Sequence, residues 1–392
     1  MLAVEAGRVL TPLRLFAPGV ILIDAGKILA VGHPSEITIP TDCEILCVLD
    51  KLVIPGFVDT HTHGGEGGYF GESIELTQRI CKNIVSSGVT SLLPTLAGLS
   101  SYFYSLETYL DQIQVVHDAM VHKSEGAEIL GIHMEGPYLN PSKKVIGSQK
   151  AENLRHPSVV EVEEMVRTSG NTIRKMTIAI ELDGAMDVLK TLTKSHAIPS
   201  VGHSEAKYEE VGPAVSAGLR CATHVFNGMQ PLHHRHPGLV GAVLTNDQIN
   251  AELIADGQHV SPAAMKILLR CKGVENVHLV TDHTIWAGMP PGEYLDGGRQ
   301  VIKEDCRAYV VGGTLIGGVA PMNACVRNLV QEVSCSLPEA VQMASINPAR
   351  LIGVDDRKGS LQPGKDADLV VIDEEVRVYL SMVKGKIVFN EK

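Results

Sequence analysis

Eight short apolar runs, separated by helix-like segments, constrain this chain more than any other feature. They are "LVIPGFVDTHTH", "VTSLLPT", "AEILGIHME", "RKMTIAIE", "AIPSVGHS", "LRCATHV", "INAELIADG" and "NVHLVTDH". Stretches such as "SIELTQRICKNIVSSG" and "SPAAMKILLRCKG" lie between them, each ending near a glycine, as helices commonly do. Eight strand–helix units predict an α/β fold, a (β/α)8 TIM barrel. The competing architecture is a doubly wound open sheet. It is weakened because no glycine-rich nucleotide fingerprint follows the first strand.

The two ends of the chain read differently. "GRVLTP", "GVILIDAGKILAVG" and "CEILCVLD" near the start, and "KGSLQPGKDADLVVIDEEVRVYLSMVKGKIVF" at the end, are β-type runs broken by Gly, Pro and Asp. Both termini are expected to form one small β-sandwich domain, residues 1–53 with 357–392, leaving 54–356 to the barrel. The chain has 392 residues, 44% of them hydrophobic, enough for a large core. Its net charge of −11 argues against nucleic-acid binding, where a basic footprint is expected. No apolar run reaches the length of a membrane span, and the N-terminus lacks the pattern of a secretory signal. The eight cysteines are scattered, with no C-x-x-C. Reduced thiols and a cytoplasmic location are therefore expected.

Barrel chemistry sits at the carboxyl ends of the strands. Strand one ends at His61 and His63, the third at Glu135, the fourth at Glu181, the fifth at His203 and the sixth at His224. The seventh leads to Asp256 and His259, and the eighth ends at Asp282. Any one of these could be a capping or hydrogen-bonded structural residue. As a set, imidazoles and carboxylates converge on one rim. That suits a catalytic site for zinc, iron or manganese, with one or two divalent ions per subunit. In H-x-H the alternate side chains share a face, so both can reach one ion, and Glu135 has two oxygens with which to bridge two. The candidate ligands are His61, His63, Glu135, His203, His224 and Asp282. Asp282 could also take a proton from a metal-activated water and pass it to a leaving group. Such a site hydrolyses amides, imides, esters or amidine-like carbons.

"PGFVDTHTH", the strand-end histidines, the aspartate of "LVTDHT" and the tail "INPARLIGV…KGSLQPGKDADLVVID" resemble the amidohydrolase superfamily. "HMEGPYLNPSKK", "VGHSEA", "THVFNGMQPLHHRHPGLVG" and "LIADGQHV" resemble, in order and over nearly the whole chain, its N-acetylglucosamine-6-phosphate deacetylases and their N-acetylgalactosamine-6-phosphate relatives. The resemblance implies Glu135, His203 and His224 as principal ligands of a metal, zinc before iron or manganese. His61 and His63 would hold a second ion, and Asp282 would be the general base and acid. It implies that Asn227 and Gly228 contact the sugar, with Ile146, Leu315, Ile316, Gly317 and Asp256 among the substrate-binding residues. Arg235 and His259 would hold the phosphate, Arg235 reaching in from a neighbouring subunit of a homodimer. The substrate would be a small phosphorylated amino sugar, with no nucleic acid or membrane involved.

The chain departs from the family pattern in three places. The family carries a carbonyl-polarising histidine after the E-G-P segment; here the matching position is Gly147. The residue after the catalytic aspartate is His283 rather than a small one, and it is a candidate catalytic replacement donor. Ile316 places an apolar side chain at a sugar-facing position. Three competing readings follow: a related amidohydrolase acting on a different N-acyl sugar or a cyclic amide, a decayed non-catalytic scaffold, and an oxidoreductase. Against the first, many cyclic-amide hydrolases carry a bridging lysine at the end of strand four, where this chain has Glu181. Against the second, the full ligand set is present. Against the third, there is no dinucleotide fingerprint.

Overall fold

The structure is a computed structural model that describes residues 1–98, 105–122, 125–296, 299–312 and 314–391. All eight apolar runs form parallel strands. In order they are Phe57–Thr62, Val89–Ala97, Ile132–Glu135, Ile173–Ile178, Ile198–Val201, Cys221–Ala222, Asn250–Leu253 and Val277–Leu279, and each pairs with the next. The ring closes just beyond the eighth strand, where Asp282 N–H donates to the His61 carbonyl (2.9 Å) and His63 N–H to the His283 carbonyl (2.7 Å). A helix follows every strand: Ile74–Ile84, Leu106–Val121, Val159–Thr168, Ala185–Lys194, Tyr208–Ser216, Gly238–Thr245, Pro262–Lys272 and Met322–Glu332. The (β/α)8 barrel is therefore complete.

Local chemistry explains the helices. Ser73, Ser105, Ser158 and Ser261 each accept a hydrogen bond from a backbone N–H of the first turn, satisfying donors that the helix itself leaves open. In the first helix Leu76, Ile80, Cys81 and Ile84 are buried, the spacing of a single apolar stripe. These stripes cover the outer face of the barrel and form the main core with residues such as Leu92, Met134, Val201 and Leu253. No helix among the described residues is long and apolar enough to cross a membrane.

The chain ends meet in one continuous eight-stranded sheet. Its order is Lys386–Asn390, Val378–Val383, Leu369–Ile372, Glu44–Pro55, Leu2–Leu10, Gly19–Asp24 and Lys27–Gly32, with Leu15–Phe16 beside Leu2–Leu10. Glu44–Pro55 is the seam, parallel to the first strand and antiparallel to Leu369–Ile372. Val4, Ile21 and Val53 from one end share an apolar core with Leu369, Leu380 and Met382 from the other.

One sheet was not anticipated from the sequence. Gly292–Asp296, Arg299–Lys303, Ala308–Val310 and Thr314–Leu315 form an antiparallel four-stranded insertion after the eighth barrel strand. It closes over a small core of Trp286, Val301, Ala308, Ile316 and Val319.

A buried ion network ties the barrel to the terminal sheet. Lys358, fully buried, lies 2.6 Å from Glu128, 3.0 Å from Asp366 and 2.6 Å from Asp368. Arg357 adds contacts to Glu128 and Asp366. Burial pushes these acids up, but Lys358 with Arg357 holds Glu128 at about 2, and Lys27 with Lys358 holds Asp366 at about 2. Lys358→Met strands these carboxylates and is expected to cost about 3–5 kcal/mol at neutral pH. For Glu128 and Asp366, whose folded-state values are depressed, the contribution is complete above the ordinary values of 4.5 and 3.8 and is lost as pH falls toward about 2, while Asp368, which burial raises, works against it. Denaturant unfolding of wild type and variant should therefore converge across that window.

Candidate metal centre and active site

The strand ends converge as the sequence predicts. Glu135 Oε1 lies 3.2 Å from His203 Nε2, 3.0 Å from His224 Nε2 and 3.4 Å from His61 Nε2. Its Oε2 lies 3.3 Å from His63 Nε2. Asp282 Oδ1 stands 3.1 Å from His63 and 3.3 Å from His61. All six side chains are largely or fully buried. His63, Glu135, His203, His224 and Asp282 line one cavity of about 490 Å³, with His61 just beneath His63. Three of these residues reach it from backbone in the left-handed region: His203 at φ 46°, His224 at 31° and Asp282 at 50°. Each such residue costs about 1–3 kcal/mol and persists only where its surroundings hold it.

The protons can be assigned from the outer partners. His203 Nδ1–H donates to the Val145 carbonyl (2.7 Å), His224 Nδ1–H to the Asn227 carbonyl (3.1 Å) and His61 Nδ1–H to Glu252 (3.0 Å). These oxygens can only accept, so Nδ1 carries the proton and the inward Nε2 is the atom left either to bind a cation or to take a second proton. The Nε2 atoms of His203 and His224 are 3.2 Å apart, as are those of His61 and His63. Ring nitrogens so close to each other and to carboxylate oxygens repel unless positive charge, a proton or a metal ion, is shared among them. The electrostatics agree. Burial disfavours charge on His63 and His224, yet Asp282 and Glu135 raise His63 to about 10 and Glu135 raises His224 to about 9. Burial raises Asp282, but His61 and His63 overcome it and hold Asp282 at about 2. The site attracts positive charge, and its donor set fits a divalent ion. Two ligand groups share Glu135: His61 and His63 on one side, His203 and His224 on the other. A third cluster, Cys221, Glu252 and His278, lies deeper. There the Lys175 ammonium already sits on Glu252 and burial pushes the Cys221 thiol up to about 12, which disfavours a metal.

The amidohydrolase family model matches residues 52–388. The chain belongs to the amidohydrolase family. It is 34% identical to an N-acetylgalactosamine-6-phosphate deacetylase of Escherichia coli, over 93% of each chain. It is 33% identical to an N-acetylglucosamine-6-phosphate deacetylase of Bacillus subtilis, over 98% of this chain and 96% of that one. Its fold is similar to that of the N-acetyl-D-glucosamine-6-phosphate deacetylase of Mycobacterium smegmatis, solved as a mutant with N-acetyl-D-glucosamine-6-phosphate. The TM-score is 0.88 at 32% identity, covering 99% of both chains.

The remaining residues expected at this amidohydrolase site divide. Asn227, Gly228, His259, Leu315 and Gly317 line the cavity, with Gly147, Ser148, Gln149, Phe226 and Thr284. Asp256 does not line it. Instead it accepts from His259 Nδ1 at 2.6 Å, fixing that ring's direction. Arg235 lies on an exposed turn outside the cavity. Glu181 is not a ligand either, because it accepts from Asn140, Ser204 and the Glu205 backbone.

Three expectations are corrected. Ile146 is not among the cavity-lining residues, which begin with Gly147 in this segment. Ile316 packs into the apolar core beneath the four-stranded insertion, and its neighbour Leu315 is the apolar residue that lines the cavity. His283 points away from Asp282's cavity. Its Nε2 is bonded to the Ala320 carbonyl (2.9 Å), it lines a separate cavity of about 500 Å³ with Lys303, and burial depresses it to about 4. It is therefore not placed to polarise a substrate carbonyl.

Sequence reasoning also missed several site residues. Glu252 lies fully buried on strand seven, where it accepts from His61 Nδ1, the His224 backbone N–H (3.1 Å) and Lys175 of strand four. Lys175 is fully buried too. The available signal was a charged residue in the middle of an otherwise apolar parallel strand, which must face a partner. Gln149, on the segment following strand three, donates from Nε2 to Glu135 Oε2 at 3.0 Å.

Gly228 shows how tightly the ligands are held. It sits at φ 59°, and a Cβ there would meet the Val145 carbonyl oxygen at 2.9 Å and His203 Nδ1 at 3.0 Å, the two atoms of the bond that orients His203. Gly228→Ala should leave the barrel folded by circular dichroism but weaken divalent-ion affinity about 10–100-fold, read by titrating zinc into chelator-treated protein.

Proposed function

We propose that this chain removes the acetyl group of an N-acetyl amino-sugar 6-phosphate, N-acetylglucosamine 6-phosphate foremost, releasing acetate and the free amine. One observation carries the reading. Glu135, His203, His224, His61, His63 and Asp282 form one open cluster at the strand ends, in a chain 33–36% identical over most of its length to deacetylases of this class. The cyclic-amide alternative is not favoured: the relatives act on a linear amide, and Glu181 is occupied.

Glu135, His203 and His224 would hold one ion, and His61 and His63 a second that shares Glu135. Imidazole and carboxylate suit zinc, with iron or manganese also compatible. When bound, the ion supplies an acidified water and polarises the carbonyl. Asp282, ionised at neutral pH, accepts the proton of that water as the C–O bond forms. It then delivers the proton to the sugar nitrogen as the C–N bond breaks. Asn227 and the Gly228 backbone border the space for the sugar.

His259 provides a cation for the phosphate, and Arg235 a second from the partner subunit of a homodimer. The exposed turn that carries Arg235 and Leu232 supports that reading, and guanidinium suits phosphate. The eight free cysteines are compatible with a reducing cytoplasm.

The test is release of free amine from N-acetylglucosamine 6-phosphate, its galacto epimer and the unphosphorylated sugars. Release should require the divalent ion and strongly favour the phosphorylated forms. Asp282→Asn should lower kcat by about 10²–10⁴-fold while bound metal, measured by elemental analysis, persists. The phosphate role has its own pH signature. Burial lowers His259, but Asp256 outweighs it and raises the ring above 6.5. The cation thus persists above that pH, and KM should rise as pH climbs through the raised value. In Asp256→Asn the rise should begin at lower pH, checked by KM–pH profiles on the phosphorylated substrate.

A further inference from the structure

The segment after the third barrel strand contains the position where the family's polarising histidine is expected, and here that position is Gly147. The geometry there crowds any side chain. Gly147 has φ 61°, and a Cβ on it would stand 3.1 Å from His203 Cε1. The side chain that enters the cavity comes from two residues later. Gln149 is 6% exposed and lines the cavity beside Glu135 and His203.

The orientation of the Gln149 amide follows from its neighbour. Glu135 Oε2 lies 3.0 Å from Nε2. A carboxylate can only accept, so the amino group must face it and the carbonyl must face elsewhere. Oε1 of Gln149 is buried and has no hydrogen-bond partner. A buried acceptor without a donor is costly, and a ligand that brings a donor would relieve it. Gln149 lines the cavity and is bonded to the carboxylate between the two imidazole pairs, so its unsatisfied carbonyl lies next to the place where the scissile bond must lie. An acetamido group has one hydrogen-bond donor there, its N–H.

We propose that Gln149 is a substrate-positioning residue, its side-chain carbonyl accepting the amide N–H of the substrate while its amino group holds Glu135. This rests on the deacetylase reading. The hydrogen bond fixes rotation of the acetamido group and sets the nitrogen for protonation by Asp282. It also makes the site selective for an amide over an ester of the same shape.

The test compares wild type with Gln149→Met, which keeps the side chain's length and removes both polar groups. Substrates are the N-acetyl amino-sugar 6-phosphate and the corresponding 2-O-acetyl sugar 6-phosphate, which lacks the N–H. Metal content is measured on every preparation. Loss of the grip on Glu135 affects both substrates and divides out of the ratio. The proposal expects the amide/ester ratio of kcat/KM to fall about tenfold, with the bound metal retained. Gln149→Asn, which withdraws the same groups by one methylene, gives the same comparison if the Met variant does not fold. Equal losses on both substrates, or no loss on the amide, overturn the proposal. A wild-type enzyme that cleaves the ester but not the amide overturns the deacetylase reading itself.

Discussion

The carboxylate of Glu135 lies where three barrel strands deliver four imidazoles, and the top of the barrel is organised around it. Its two oxygens are within 3.4 Å of His61, His63, His203 and His224, with Gln149 bracing one of them. A buried carboxylate is tolerated only when paired or hydrogen-bonded, so each neighbour must stay in place. That requirement reaches into the backbone. Strands one and eight are locked at the level of His61 and Asp282 by reciprocal hydrogen bonds, and His203, His224 and Asp282 adopt left-handed backbone to aim at one point. Val145, Asn227 and Glu252 then fix which nitrogen of each ring is free.

The barrel and its cluster of strand-end imidazoles and carboxylates were legible in the sequence because they use its strongest signals. Parallel strands buried on both faces read as apolar runs, and metal-binding residue types at the ends of such runs stand out. What escaped depends on facing direction. Successive residues on extended chain point to opposite sides, and only pairing to a neighbour decides which side is inward. Asp282 faces the cavity and His283 the opposite side; Leu315 faces it and Ile316 the insertion core. In both pairs a one-residue difference reversed the role. Glu252 and Lys175 were hidden for another reason. They sit inside apolar runs, and their meaning exists only once strands four and seven bring them together across the barrel interior.

The segment 136–150 marks the limit of reading function by aligned position. Counting from Glu135 points to Gly147, which suggests a missing group. In space Gln149 occupies the cavity, because irregular chain can deliver a side chain from two residues further on. The insertion 292–315 acts similarly. It contributes Leu315 to the cavity while its own core holds Trp286, Val301 and Ile316, so a short antiparallel sheet positions a wall that the barrel strands do not provide.

Charge balance orders the two ion sites. Glu135, Asp282 and Glu252 are acidic and fully or largely buried, and Lys175 is the buried cation among them. Lys175 offsets Glu252, and burial raises fully buried Asp59 to about 7, so the deficit rests mainly on Glu135 and Asp282, two negative charges that one divalent ion would cancel. The pair His203 and His224 meets Glu135 at the shorter distances, 3.2 and 3.0 Å, against 3.4 and 3.3 Å for His61 and His63. A first ion on the His203 side would thus bring these two charges to neutrality. A second, beside His61 and His63, would create an excess of positive charge, which low local dielectric makes expensive. On the deacetylase reading, a second ion would therefore bind more weakly than the first and would gain from the arrival of an anionic substrate.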